Sequence, residues 1–128
     1  VSAAQADLGY RLAVEGPGAG RAWLRPGPRH GNRAGLLHGG LVSTLLDAAM
    51  GTAAATRVSE DGAAPMATVS MTVQFLAPVP LEAEILARAR ITGGGRRLIF
   101  CEATLTLPDG AAAATATGVF RAIRPPGG

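Results

Sequence analysis

The chain has 128 residues, of which 48% are hydrophobic and 16% charged. This is enough for one domain with a packed core, and it excludes a disordered chain. The net charge of +3 comes from twelve arginines, no lysine and nine acids. The arginines are scattered, so no basic stripe with interleaved aromatics marks a nucleic-acid surface.

In chain order, Val1 to Asp7 reads as one helical turn or a disordered end. Leu8 to Glu15 and Arg21 to Arg25 read as two short strands, joined as a hairpin by the turn residues Gly16-Pro17-Gly18-Ala19-Gly20. Val1 to Glu15 contains Asp7 and lacks a basic start followed by an apolar block, so no secretory leader is read there and a cytoplasmic location is expected. Pro26 to Asn32 is too rich in Pro and Gly for regular structure and reads as a loop. Leu41 to Thr56 then runs for sixteen residues with one charge, Asp47. Val42, Leu45, Leu46, Ala49 and Ala53 recur at helical spacing. The remaining faces are Ala, Ser, Thr, Gly and Met, so the helix is expected to be buried nearly all round. It is too short for a membrane span.

Ser59 to Pro65 is a polar loop. From Thr68 to Phe75 the residues alternate, with Val69, Met71, Val73 and Phe75 on one face and Thr68, Ser70, Thr72 and Gln74 on the other. Leu81 to Ile91 alternates again, and Gly93-Gly94-Gly95 reads as a turn. Leu98 to Leu107 is the next strand, and Pro108-Asp109-Gly110 is a hairpin signal. Ala111 to Ile123 reads as the last strand, stopped by Arg124-Pro125-Pro126; a helix over Ala111–Ala116 is the competing reading. Two short strands, a central helix and four strands joined by tight turns predict an α+β domain, with a curled, mostly antiparallel sheet around one long helix.

The chemistry gathers at the start of that helix. Gly39 and Gly40 have no side chains to cover the first N–H groups, which have no partner within the helix. Bare amides at a helix N-terminus form a site for a developing oxyanion. Asp47 follows about two turns later, and an ionised carboxylate on an apolar helix requires polar company. It either points to solvent or lines a pocket. A donor site and a carboxylate base within reach of one bound carbonyl suggest acyl transfer or hydrolysis. The single Cys101 excludes an intrachain disulfide framework, and no Cys/His cluster has metal-ligand spacing.

Asn32-Arg33-Ala34-Gly35-Leu36-Leu37-His38-Gly39-Gly40, with Asp47 inside Leu45-Leu46-Asp47-Ala48-Ala49-Met50-Gly51, resembles the hotdog-fold acyl-CoA thioesterases, and most closely their PaaI-like, phenylacetate-pathway branch within the 4-hydroxybenzoyl-CoA thioesterase superfamily. Thr68 through Pro78 resembles that branch's second long strand. The resemblance implies a single hotdog domain over residues 1–128, and hydrolysis of an aryl- or alkyl-CoA thioester. It implies a homodimer with a continuous sheet, often doubled to a homotetramer. It implies no cofactor, since coenzyme A enters as part of the substrate, and neither a nucleic acid nor a membrane as partner.

By the same resemblance, Asp47 is the catalytic carboxylate and the Gly39 N–H receives the oxyanion. Asn32 holds the thioester carbonyl, His38 is the motif histidine, and Thr68 positions water from the partner subunit. Gly40 falls beside substrate. Arg96 and Arg97, after the glycine turn, are candidates for the phosphates of coenzyme A, to which arginine is suited by its planar fork. Each also has a plain reading: a tight helix entry for the glycines, a turn cap for Asn32, a strand residue for Thr68 and a solvated turn for the arginines. A hotdog dehydratase or hydratase, or a non-catalytic acyl-CoA-binding module, are the alternative functions.

Overall fold

The computed structural model describes residues 1–123. The elements run α1 (Ala3–Leu8), β1 (Arg11–Gly16), β2 (Ala19–Leu24), a 3₁₀ turn (Pro28–His30), α2 (Gly39–Ala55), β3 (Met66–Phe75), β4 (Ile85–Gly94), β5 (Ile99–Thr106) and β6 (Ala112–Ala122). The six strands form one sheet in the order β1-β2-β4-β5-β6-β3, with every pairing antiparallel. The connection through α2 carries the chain from β2 across the sheet to β3 at the far edge. The stop expected at Arg124-Pro125-Pro126 lies outside the described residues. No helix among the described residues is long and apolar enough to cross a membrane.

Helix α2 lies on one face of this sheet. Val42, Leu45, Leu46, Ala49 and Ala53 are all buried, as their spacing requires. They pack against Ala22, Ile85, Ala87, Ile99, Leu105 and Phe120 from the strands. Small residues set how closely the helix approaches. A Cβ built at Gly20 on β2 would lie 2.8 Å from the Ala49 carbonyl oxygen and 2.8 Å from the Ala53 nitrogen. Only glycine allows β2 and α2 to touch backbone to backbone there.

The helix is not covered all round. Gly40, Thr44, Asp47, Ala48 and Gly51 share one stripe and are partly or fully exposed. A single curled sheet wraps only part of a cylinder, so it leaves this stripe open. The stripe holds the helix's one charge.

Several boundaries differ from the sequence pattern. α1 spans Ala3–Leu8, with Ser2 as its cap, and the first strand starts only at Arg11. The Pro26–Asn32 loop contains one 3₁₀ turn, in which the Gly27 N–H donates to His30 Nδ1 at 2.9 Å. Leu81–Glu84 is not strand: the chain turns there, Glu82 takes a φ of 70°, and its N–H donates to the Pro26 carbonyl at 2.7 Å. Gly93 and Gly94 continue β4 through a bulge after Ile91, and the turn falls at Gly95–Leu98. Ala112–Ala122 is a strand despite its alanines, because it is hydrogen-bonded on both sides, to β5 and to β3.

Replacing Gly20 by alanine forces β2 away from α2. The expected cost is about 1–3 kcal/mol, the range for overpacking a filled core. Urea denaturation should give a lower midpoint with an unchanged slope.

Candidate active site

Asp47 projects from the open stripe of α2 and is half-buried. Its Oδ1 accepts a hydrogen bond of 2.7 Å from the Thr68 hydroxyl. Strict alternation puts Thr68 on the outer face with Ser70 and Thr72, and the structure does not. The ladder pairs Thr68 with Phe120 and Ser70 with Val119, leaving Val69 as a bulge. Phe120 is buried under α2, so Thr68 shares its inner face while Ser70 lies outside. A bulge re-aims the residues beside it, and here it turns a threonine toward the carboxylate. The extra residue, Val69, is 52% exposed.

Asp47 and Thr68 of one chain thus meet through a hydrogen bond, where the resemblance implied a threonine from the partner subunit. They line a cavity of about 380 Å³ whose other walls include Tyr10, Leu12, Met66 and Phe120. Tyr10 and Leu12 lie outside the motif, and their place in this cavity depends on the position of the first hairpin.

Gly39 and Asn32 line a different cavity, of about 390 Å³, with Val42, Phe75, Pro78 and Val79. Gly39 is the first residue of α2, and its N–H has no acceptor among the described residues. The next amide is taken: the Gly40 N–H donates to His38 Nδ1 at 2.9 Å. His38 is therefore the helix N-cap, and Gly40 has no amide left for a substrate. The glycine pair contributes one bare donor.

Asn32 combines its plain and its chemical reading. Its Oδ1 accepts from the Ala34 N–H at 2.9 Å and the Leu36 N–H at 3.1 Å. This closes the turn at Gly35 and fixes the plane of the amide. Nδ2 is the group left over, a donor with no protein partner among the described residues. His30, which directs the loop, is 4% exposed. Its Nδ1 accepts from Gly27, so its Nε2 carries the proton and donates to the Leu8 carbonyl at 2.8 Å. Both ring nitrogens are thus occupied, Nδ1 within the 3₁₀ turn and Nε2 in holding α1 to the loop.

Cys101 takes no part in this site. It is 2% exposed, and burial pushes its thiol up to about 11, which leaves no thiolate to act as a nucleophile near neutral pH. Arg96 and Arg97 lie far along the fold, at the β4–β5 turn, where they line an open groove with Leu98, Arg121 and Ile123.

The comparisons with known proteins give the family and the fold. The family model described as Thioesterase superfamily matches residues 34–114. The chain belongs to the thioesterase superfamily. It is 36% identical over 78 residues to the mouse acyl-coenzyme A thioesterase 13, a match covering 61% of this chain and 54% of that protein. The chain thus spans about half the length of that curated relative. A solved thioesterase family protein from Silicibacter pomeroyi superposes with a TM-score of 0.83 at 32% identity, over 97% of this chain and 91% of that one. The PaaI protein of the E. coli phenylacetic acid degradation operon superposes with a TM-score of 0.85 at 18% identity, over 96% and 86% of the two chains, and shows the shared fold. That fold is the hotdog: a curled antiparallel sheet around one long helix.

Asn32→Asp and Asn32→Ala separate the two uses of Asn32. Aspartate keeps the oxygen that closes the turn and removes the Nδ2 donor, so its melting temperature should stay near the parent's. Alanine removes both, and should cost about 1 kcal/mol, as for other lost side-chain-to-backbone bonds. Equal destabilisation by both changes would show that Oδ1 does not hold the turn.

Proposed function

We propose that the protein is a thioester hydrolase acting on acyl-CoA, with Asp47 and Thr68 activating water and Gly39 and Asn32 receiving the thioester carbonyl. The observation that carries this reading is the 2.7 Å hydrogen bond from Thr68 to Asp47 on the open stripe of an otherwise apolar helix. The Thr68 hydroxyl donates its hydrogen bond to Oδ1. Its own oxygen can then accept from a water molecule, while Asp47 Oδ2 accepts that water's other proton. The water is held between two acceptors with its lone pair directed outward. It attacks the thioester carbon, and its proton passes to Asp47. The oxyanion gathers on the Gly39 N–H and Asn32 Nδ2. The C–S bond then breaks, the sulfur leaves as the thiol with the proton from Asp47, and the acid is released. Asp47 serves as general base and then general acid.

The two halves cannot meet on one carbonyl within a single chain. Eight residues of helix separate Gly39 from Asp47 by about 12 Å along the axis. An oxyanion donor sits about 3 Å from the oxygen, and the attacking water about 3–3.5 Å from the carbon. Donor and base line separate cavities. A second copy of the chain removes the conflict if its helix lies alongside the open stripe and brings Gly39 and Asn32 to Asp47. β3 supports this arrangement: it is an edge strand, with Val69, Phe75 and Leu76 more than half exposed, and edges of this kind pair. The minimal unit of the proposal is a closed, symmetric dimer, with doubling to a tetramer as a further step. His38 is held at the helix start, which favours hydrolysis over a dehydratase in which a histidine removes the substrate proton.

Asp47→Asn keeps the shape and removes the base. Its kcat on an acyl-CoA panel, read by thiol release, should fall at least about 10²-fold, with the melting curve retained. Thr68→Val should lower kcat by less, since the carboxylate remains. Gly39→Pro removes the donor and should abolish turnover, whereas Gly39→Ala, which keeps the N–H, should retain it. Near parental rates for Asp47→Asn would overturn the mechanism.

A further inference from the structure

The cavity beside Asp47 does not end at the Asp47–Thr68 pair. It runs toward the C-terminal end of α2, past Ala48 and Gly51 to Thr52. A second cavity, of about 340 Å³, adjoins it there. The two share walls at Gln5, Leu12, Thr52 and Gly62, so they form one channel with a waist. Beyond the waist lie Ala13, Val14 and Ala63. Gly62 brings the α2–β3 loop against β1: its φ is 67°, and a Cβ there would lie 2.5 Å from Val14 Cγ2.

The lining changes along the channel. Asp47 and Thr68 stand at its mouth. Past them come Tyr10, Leu12, Ala48, Met66 and Phe120, an apolar wall. Gly51 lies one turn beyond Asp47 on the same open stripe. A Cβ built at Gly51 meets nothing nearer than Phe120 Cε1, at 3.8 Å. A side chain would therefore fit at Gly51, and the glycine leaves the way from the acid to the waist clear.

The roof of the channel is α1. No residue of α1 is buried, so the helix adds nothing to the core. It is tethered at its C-terminal end, where the Leu8 carbonyl accepts from His30 Nε2 at 2.8 Å and from Arg29 Nη2 at 3.3 Å. What α1 does is cover: Ser2 and Gln5 line both cavities. α1, Tyr10 and Leu12 all precede residues 34–114, which match the family model. The roof lies outside that match.

The dimer of the hydrolase reading leaves this channel open. A two-fold axis that brings one Gly39 to the other chain's Asp47 does the reverse as well. The two helices then run antiparallel, and the partner's helix begins opposite Asp47. The stripe beyond, at Ala48 and Gly51, has no partner helix over it. The two substituents of a thioester carbonyl point apart. Coenzyme A carries a charged nucleotide, which apolar walls exclude, so the acyl group is the one that enters. Asp47 to Thr52 is about 7.5 Å of helix. An extended chain advances about 1.1 Å per bond, so an acyl chain of about eight carbons reaches the waist.

We propose that this channel measures the acyl chain: an unbranched aliphatic group enters over Gly51, and the waist at Gln5, Leu12 and Thr52 stops it at about eight carbons. This selection rests on the hydrolase reading and adds the acyl class to it.

The test is a series of straight-chain acyl-CoA esters from acetyl to palmitoyl, with benzoyl-CoA and phenylacetyl-CoA beside them, read by thiol release. For the parent, kcat/KM should rise about fourfold per methylene, the gain from burying one, up to octanoyl-CoA, and fall beyond it. Gly51→Leu fills the channel short of the waist. Its optimum should move to butyryl-CoA, and octanoyl-CoA should lose at least about 10²-fold relative to acetyl-CoA. Leucine favours the helix over glycine, and a melting curve checks that the variant folds. Gln5→Ala opens the waist from a helix with no buried residue, and should move the optimum to decanoyl-CoA or longer. It keeps the test decisive if the leucine variant does not fold. An optimum that stays at octanoyl-CoA in both folded variants overturns the proposal, and so does a parent that prefers either aryl ester. A second measurement needs no turnover: calorimetric titration of Asp47→Asn should show tighter binding of octanoyl-CoA than of acetyl-CoA, and the added Gly51→Leu change should remove the difference. Chain-dependent binding by a parent that releases no thiol would sink the hydrolase reading and keep the channel. Thiol release at one rate for all chain lengths would do the reverse.

Discussion

A carboxylate on an apolar helix needs a polar partner, and most of the architecture around Asp47 follows from that need. The helix is apolar because it fills the concave side of a six-stranded sheet. The sheet is too narrow to enclose it, so one stripe faces outward, and the acid is on that stripe. Its partner must come from the nearest strand, β3. A regular β3 would turn Thr68 away. The bulge at Val69 turns it back, at the cost of one unpaired residue at the sheet edge. Helix, stripe, bulge and edge strand together explain one hydrogen bond of 2.7 Å.

The same constraint divides the chemistry. The bare amide of Gly39 has to be at the helix start, because only there are backbone donors unpaired. The base has to lie along the helix, where the stripe faces the bulged strand. One rigid helix cannot bring its own first residue to its own middle. In the proposed mechanism each chain therefore contributes half of each of two sites. In the proposed dimer the exposed edge of β3 offers the pairing, and that pairing is what sets a second helix beside the stripe.

How much of this was legible in the sequence depends on how local each feature is. The helix, its buried face and the isolated Asp47 could be read directly, since a period of 3.6 needs only neighbours on the chain. The strand character of Thr68–Phe75 could be read as well. The orientation of Thr68 could not, because counting by twos fails across a bulge, and nothing in Thr68-Val69-Ser70 marks the extra residue. Leu81 and Ala83 alternate with Glu82 and Glu84 as a strand would, yet Glu82 is fixed by a bond to Pro26, a contact from far along the chain. Asn32 was ambiguous between turn cap and donor, and its two amide atoms divide the two roles. Arg121 was missed beside Arg96 and Arg97 because the β5–β6 register that brings it to their turn follows from long-range pairing.

The central claim is that one chain supplies Asp47 and Thr68 while a second supplies Gly39 and Asn32. Mixing tests it directly. Chains carrying Asp47→Asn and chains carrying Asn32→Asp are each inactive on acyl-CoA in this account, and they are unfolded together, refolded, and assayed for thiol release. Random pairing makes about half of the closed dimers mixed, each with one of its two sites intact. Recovery of about a quarter of the parental activity is expected, with subunit exchange followed by mass. Exchange without any recovered activity would place all four residues in a site within one chain, and would contradict it.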